Sequence, residues 1–148
     1  MKRFMKQGGL TARRHMAGIT LIELIVVMTI IAILSAIAIP SYQSYTTRTN
    51  RAAARACVTE MAQYMERYYT TNLTYVVPAD PVLGCQSEND LENRYTFDLN
   101  PAPTQRTYRI RAVPINAQLA HDTKCGTMTV NQAGLRTASG TDGVAGCW

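Results

Sequence analysis

The chain has 148 residues, 47% apolar and 17% charged, which suits a single core and excludes a disordered acidic or basic tail protein. Its net charge of +5 comes from the first 18 residues, which contain five Lys or Arg residues and no acid. The other residues carry ten basic and ten acidic side chains, so the positive charge is weak evidence for a nucleic-acid partner.

A strongly apolar segment follows this basic leader, from Ile19 to Ile39. It holds thirteen Ile, Leu or Val residues and a single charge, Glu23. The aliphatic side chains favour membrane insertion by about 4 to 8 kcal/mol, whereas one carboxylate opposes it by about 2.5 to 3.5 kcal/mol. The segment therefore predicts a membrane-spanning helix, with the basic leader in the cytoplasm and the rest of the chain on the far side.

Two alternatives concern the fate of this segment. A secretory signal peptide has a shorter apolar core with a small-x-small cleavage site behind it; Ser35-Ala36-Ile37-Ala38 resembles such a site, but the helical pattern continues after it. In the favoured interpretation the chain is cut after Gly18, which creates a new amine at Ile19. That amine can pair with Glu23 in the same chain or, more usefully, in a neighbouring one.

The residues around this cut resemble a known motif. Gly18-Ile19-Thr20-Leu21-Ile22-Glu23, between a basic leader and an apolar run that ends at Pro40, resembles the prepilin motif of type IV pilins and type II secretion pseudopilins. The resemblance implies cleavage between Gly18 and Ile19 by a prepilin peptidase, N-methylation of Ile19, and a role for Glu23 in subunit docking. Type IV pilins usually begin with Phe, whereas this sequence has Ile19.

The helical pattern continues beyond Pro40, where we expect a kink and not a stop. No Gly or Pro occurs again until Pro78, and apolar residues recur three or four positions apart, which predicts an amphipathic helix to about Asn72. Three arginines occupy another face of it. They are interpreted as a solvated face, a contact to an acid of a neighbouring subunit, or a phosphate contact: Arg48, Arg51 and Arg55.

The C-terminal part predicts a small antiparallel sheet. Residues 94–99, 107–113, 127–130 and 135–138 alternate as strands do, with a turn at 131–134, and residues 78–93 and the Gly-rich tail read as loops. The apolar face of this sheet needs a cover, and the amphipathic half of the long helix provides it. Arg106, Arg109 and Arg111 near the second strand are the candidate DNA contacts.

Four cysteines without a CxxC pair indicate disulfides in an oxidising compartment and disfavour a zinc or thioredoxin-type site. They allow three pairings, of which we expect Cys57–Cys85, between helix and loop, and Cys125–Cys147, across the tail. The segment that begins at Cys125 and the ending Cys147-Trp148 resemble minor pilins of the PilE-like subgroup. In that subgroup the Cys57/Cys85 pair is not a general feature.

Together these patterns predict an α+β protein with the type IV pilin fold, in which one long N-terminal helix packs on a sheet of about four strands. The expected divisions are a leader at 1–18, a transmembrane and filament-core helix at 19–42, and a head at 43–148. No catalytic set, phosphate loop or metal-ligand spacing is visible in the sequence, so we expect no enzyme, cofactor or metal.

The function predicted by the resemblance is that of a minor subunit of a type IV pilus, which serves pilus biogenesis, twitching motility and adhesion. Its expected partners are other pilins, the prepilin peptidase and the inner-membrane assembly machinery. The head is expected in the periplasm before assembly and outside the cell in the pilus afterwards. A DNA-uptake receptor is the first alternative, with nucleic acid a weaker expectation, and a type II secretion pseudopilin is the second.

Overall fold

The structure is a computed structural model that describes residues 18–148. All of the expected leader except Gly18 lies outside the described residues. The chain divides into two compact units at the boundary between Ala38 and Ile39.

Helix α1 runs from Leu21 to Asn72 with Pro40 inside it. Pro40 therefore does not stop the helix, as expected from the sequence, while the kink stays a prediction. The Thr20 hydroxyl accepts a hydrogen bond from the Glu23 backbone N–H at 3.3 Å, which caps the helix by satisfying one of its free first-turn donors. The helix is long and apolar enough to cross a membrane, and its apolar stretch is unburied in the structure.

The second unit contains a four-stranded antiparallel sheet in the order β1-β2-β3-β4. Each strand pairs with the next along the chain, with Phe97 opposite Ala112 and Ile110 opposite Val130. The predicted strands are confirmed to within two residues at either end. Their bounds are Tyr95–Leu99 for β1, Arg109–Pro114 for β2, Met128–Asn131 for β3 and Arg136–Ala138 for β4.

The core lies between the second half of α1 and one face of this sheet. Alternate residues of β1 and β2 point into it, as the two-residue period of a strand requires. The amphipathic face predicted for α1 is confirmed, because its small and sulfur-containing side chains are buried against the sheet. The buried set comprises Ala54, Cys57, Val58, Met61 and Met65 from α1, and Tyr95, Leu99, Ile110, Ala112, Met128 and Val130 from the strands.

Two regions expected as loops contain helix. Residues 78–93 include two 3₁₀ segments, Gly84–Gln86 and Glu88–Asn93, and the Gly-rich tail includes α3, Gly143–Cys147. A further short helix, α2, covers Asn116–His121. The interpretation of the whole tail as a loop was therefore wrong. Its backbone is held by tertiary bonds, such as the one from the Gly140 N–H to the Cys125 carbonyl at 2.9 Å, which no local sequence preference reveals.

Two disulfides join Cys57 to Cys85 and Cys125 to Cys147, the pairings favoured from the sequence. The Cα atoms lie 5.4 Å apart in the first bond and 5.5 Å apart in the second, within the normal range. The first holds the segment after α1 against the helix, and the second closes the C-terminal tail onto the loop before β3.

Candidate functional site

The N-terminal motif is exposed and directly precedes α1. Gly18, Ile19 and Thr20 adopt no helical structure, and Ile19 is 76% exposed. Glu23 lies in the first turn of α1, where a carboxylate interacts favourably with the positive end of the helix dipole. None of the ion pairs within residues 18–148 includes Glu23. The exposed backbone before the helix is the kind of segment that a peptidase can reach.

A buried ion pair joins α1 to the segment after α2. Arg51 approaches the Asp122 carboxylate through two nitrogens, with Nε 3.2 Å from Oδ2. The Asp122 side chain is 0% exposed and that of Arg51 only 14%. Burial lowers the pKa of Arg51, but the hydrogen bond and the charge of Asp122 outweigh burial and leave that pKa raised. Arg51 is thus paired within its own chain, although its spacing in the sequence grouped it with Arg48 and Arg55 as a candidate contact to another molecule.

Further hydrogen bonds extend this pair into a network. The Tyr95 hydroxyl donates to Asp122 Oδ2 at 2.6 Å, and the Gln118 amide donates to the same oxygen at 3.0 Å. Gln118 also donates to the Thr47 carbonyl of α1 at 3.1 Å. Burial, and then the bond to Asp122, raise the pKa of Tyr95. The network fixes the short helix α2 and strand β1 to one side of α1.

A basic groove lies beside this network. It has a volume of about 590 Å³, and its walls come from α1, from the loop after α2 and from the C-terminal tail. Arg48 and Lys124 are exposed and Arg55 is half-buried; none of these three belongs to an ion pair within the described part of the chain. His121, the paired Arg51 and one acid, Asp142, also line it. We call this feature the basic groove.

A shallower depression adjoins the basic groove at Arg55, which lines both. The Arg136 guanidinium lies 5.0 Å from the centre of the Trp148 ring, a cation–π distance. The Trp148 indole N–H donates to the Thr137 carbonyl at 2.9 Å, which fixes the ring at the edge of β4. The C-terminal aromatic residue is therefore an ordered part of this surface.

The arginines near β2 form a separate surface. Arg106, in the connection between β1 and β2, and Arg109, at the start of β2, are exposed. Arg111 instead forms a two-pronged pair with Asp98, directly opposite it on β1, at 2.8 and 2.6 Å. The hydrogen bond to Asp98 is the main reason that the pKa of Arg111 is raised. Arg106 and Arg109, in contrast, take part in no ion pair among residues 18–148.

Several residues of these surfaces were missed from the sequence. Arg51 and Asp122 are 71 positions apart, so no local spacing connects them. Lys124 and Arg136 gave no signal because single basic residues in turns and short strands are common. Glu66, an exposed residue that accepts hydrogen bonds from the buried Tyr75 and Tyr108 at 3.0 and 2.9 Å, was likewise not predicted as an acceptor.

No metal centre is formed by residues 18–148, since nowhere in that range do three His, Cys, Asp or Glu side chains converge. The chain instead presents exposed cations and an uncovered apolar stretch of α1 beside a well-packed head. These features are suited to contacts with other macromolecules.

Two family models match the sequence. Residues 40–129 match the model described as Type IV minor pilin ComP, DNA uptake sequence receptor, and residues 13–39 match the prokaryotic N-terminal methylation motif. No curated protein matches the chain.

Solved structures are also similar. A type IV pilin from Shewanella oneidensis has 22% sequence identity and a TM-score of 0.52, over 69% of this chain and 97% of that one. The non-core minor pilin PilV of Neisseria meningitidis has 25% identity and a TM-score of 0.48, over 67% of this chain and 92% of PilV. The first of these similarities supports the fold of a long helix packed on a four-stranded sheet.

Proposed function

Because this chain belongs to the type IV minor pilin ComP family, we propose that it is a subunit that a prepilin peptidase processes and the assembly machinery builds into a pilus filament. Type IV pilins are structural, non-enzymatic subunits, and other pilins are its partners in the filament. The methylation motif and the apolar N-terminal helix fit anchoring in a membrane before assembly.

The observation that carries the proposal is the uncovered apolar stretch of α1. Its eleven Leu, Ile and Val side chains between Leu21 and Ala38 are 47% to 77% exposed. Removing the remaining exposed area of these side chains from water is favourable by on the order of 10 to 20 kcal/mol per subunit. Lipid covers this surface before assembly, and the helices of neighbouring subunits cover it in the filament.

Glu23 gives this packing a register. Burying the Glu23 carboxylate costs about 2.5 to 3.5 kcal/mol, which is less than the stabilisation from burying the apolar side chains of α1. An unpaired Glu23 is therefore tolerated, but a paired Glu23 is more stable. Cleavage after Gly18 and methylation of Ile19 leave a cationic amine that pairs with Glu23 of an adjacent subunit. The pairing selects the one axial position in which amine and carboxylate meet.

The expected membrane topology follows from the residues on either side of the apolar stretch of α1. The basic leader stays in the cytoplasm, and the head, with its two disulfides, matures in the oxidising periplasm. After assembly the head lies on the outside of the filament, where it contributes to twitching motility and adhesion.

The test compares Glu23→Ala with Glu60→Ala, a matched loss of an exposed acid elsewhere on α1. We expect both variants to accumulate in the membrane, and only Glu60→Ala to enter sheared filaments. A bulky replacement at Gly18 is expected to block processing and incorporation. Normal amounts of the Glu23 or the Gly18 variant in filaments would refute the proposal.

A second candidate function, DNA-uptake receptor, is favoured by the description of the matching family and by the two exposed arginines Arg106 and Arg109. Full-length chain in detergent is expected to bind duplex DNA with an affinity that falls steeply with salt. Because each phosphate contact contributes about 0.9 to the salt slope, Arg106→Ala/Arg109→Ala lowers that slope by up to about 1.8. Arg67→Ala, on α1, is the control; equal slopes for all three proteins would exclude Arg106 and Arg109 as phosphate contacts, and a full-length chain that does not bind duplex DNA would reject this function.

A further inference from the structure

We propose that the basic groove binds the headgroup phosphate of an anionic phospholipid, such as phosphatidylglycerol, in the periplasmic leaflet of the membrane that holds the chain before assembly. This inference rests on the proposed function, because it needs a chain that is anchored by the apolar part of α1. It assigns a ligand to a charged surface that neither the apolar stretch nor Glu23 uses.

The groove begins where the apolar segment ends. Pro40, the residue directly after Ile39, lines it together with Gln43 and Ser44. The residues from Ile19 to Ile39 cross about 31 Å as a helix, which corresponds to one hydrocarbon core. The headgroup layer beyond that core is about 5 to 7 Å thick, so roughly the first four or five residues after Ile39 fall within it. One end of the groove therefore lies at the level of the lipid phosphates.

Two exposed tyrosines mark the same level. Tyr42 and Tyr45 are 70% and 68% exposed, although each has a large apolar ring. Tyrosine is enriched at membrane–water interfaces, because its ring packs against the lipid while its hydroxyl stays hydrated. This observation is independent of charge, and it indicates a lipid surface beside the groove.

Arg48 and Lys124 are the expected contacts to the phosphate. Both are exposed and, as far as the structure describes the chain, neither belongs to an ion pair. Arg48 is nine residues beyond Ile39, about 13 Å along the helix, and its long side chain points back towards the helix N-terminus and hence towards the headgroups. Lys124 reaches the same groove from the loop after α2, where the Thr123 hydroxyl is a further donor.

The charge balance of the groove selects an anionic lipid. Three cations without an ion-pair partner and one acid leave an excess of two positive charges in its lining: Arg48, Arg55 and Lys124 against Asp142. A zwitterionic headgroup carries its own ammonium group, whereas the phosphate of phosphatidylglycerol is uncompensated. Each basic residue near an anionic membrane surface strengthens binding about fivefold. The volume of about 590 Å³ is sufficient for a headgroup.

Duplex DNA is the competing occupant, because its phosphates can pair with the same two cations. The end of the groove at Pro40 lies at the bilayer surface, however, where the membrane leaves no room for a duplex. Tyr42 and Tyr45 add apolar contacts that a lipid provides and the outside of a duplex does not. Lipid therefore fits both the position and the chemistry of the groove better than DNA does.

The test is photo-crosslinking of the full-length chain in nanodiscs. The discs contain phosphatidylcholine and a small fraction of phosphatidylglycerol that carries a diazirine in its headgroup; in matched discs the diazirine is in the headgroup of phosphatidylcholine. We expect labelled phosphatidylglycerol to form adducts with peptides from residues 41–55 and 121–124, in about fivefold or higher yield than labelled phosphatidylcholine. Equal yields from the two lipids, or phosphatidylglycerol adducts confined to other segments, overturn the inference.

Variants then test which charges bind the lipid. Arg48→Gln/Lys124→Gln is expected to lower the yield about tenfold or more, whereas Arg67→Gln/Arg109→Gln, which removes two exposed arginines outside the groove, keeps it within about twofold. Arg48→Lys/Lys124→Arg conserves both charges and is expected to retain the yield, which separates loss of charge from a defect in folding. A yield that the first pair leaves unchanged, or that the second pair lowers equally, contradicts the proposed site.

Soluble competitors distinguish the sources of phosphate. Inorganic phosphate or duplex DNA is added at the same phosphate concentration as the labelled lipid, and neither is expected to reduce adduct formation. Loss of the adduct with inorganic phosphate assigns the groove to a free anion, and loss with DNA assigns it to nucleic acid. Either loss overturns the inference.

The amount of chain that is recovered with the discs is measured in the same samples. A chain that enters the discs without forming the adduct overturns this inference alone. A chain that does not enter them also contradicts the membrane anchoring on which the proposed function depends.

Discussion

Removing the carboxylate of Asp122 is expected to destabilise the head more than any other single loss of a charge. In Asp122→Ala, Arg51 loses its ion-pair partner, and Tyr95 and Gln118 lose an acceptor. Breaking a buried ion pair by removing one partner costs about 3 to 5 kcal/mol. Because the Arg51 side chain is 14% exposed and regains some hydration, we expect a loss of about 3 to 4 kcal/mol.

The structure provides a matched control in the pair between Arg111 and Asp98. It has the same chemistry and a two-pronged geometry, but its side chains are 31% and 37% exposed. Arg111→Ala is therefore expected to cost at most about 1 kcal/mol. The double variant Arg51→Met/Asp122→Leu is expected to cost less than the sum of its single changes, since it leaves no unpaired buried charge.

The assay is urea unfolding of the full-length chain in detergent, followed by the fluorescence of Trp148, the only tryptophan. Its ring is ordered against Arg136 and β4, so its emission reports the folded head. A cost for Asp122→Ala that equals the cost of Arg111→Ala would refute the reasoning, because burial would then confer no energetic importance on the pair.

Three further predictions concern the stability of the head. Removing the Cys125–Cys147 bond by replacing both cysteines with serine is expected to cost about 3 kcal/mol in the chain-entropy model, measured by the same urea unfolding. Burial, and then the hydrogen bond to Glu66, raise the pKa of Tyr75 to about 12. Since the folded state favours the neutral phenol, stability is full below pH 10, falls between about pH 10 and 12, and becomes less pH-dependent in Tyr75→Phe. Gly140→Ala places a methyl group against the Lys124 carbonyl and is expected to lower stability by about 1 to 3 kcal/mol. In the control Gly84→Ala the methyl group meets open space, so stability is expected to change by under about 1 kcal/mol. Equal melting temperatures for the two variants would contradict this prediction.

The long elements were predictable because their signals are repetitive. The apolar run from Ile19 and the three- and four-residue spacing up to Tyr68 predicted α1 close to its observed bounds. Alternation around Phe97 and Ile110 predicted β1 and β2. In these elements many residues carry the same information, so no single exception changes the interpretation.

The parts that sequence reasoning missed depend on contacts between distant residues. Helix α2 has six residues and α3 has five, too few to show a period. The role of Arg51 is set by Asp122, which belongs to a different element, so its position beside Arg48 on α1 gave a misleading grouping. The spacing of Arg48, Arg51 and Arg55 predicted that they share one face of α1, but not that a groove lies there or that Arg51 is already paired.

The most direct test of the central claim is the mass of the N-terminal peptide of this chain, isolated from sheared filaments. The account predicts a peptide that begins at Ile19, because cleavage after Gly18 creates the cationic amine that pairs with Glu23 of an adjacent subunit, and that carries the methyl group the N-terminal motif implies. A filament-borne chain that keeps the residues before Ile19 would contradict the account.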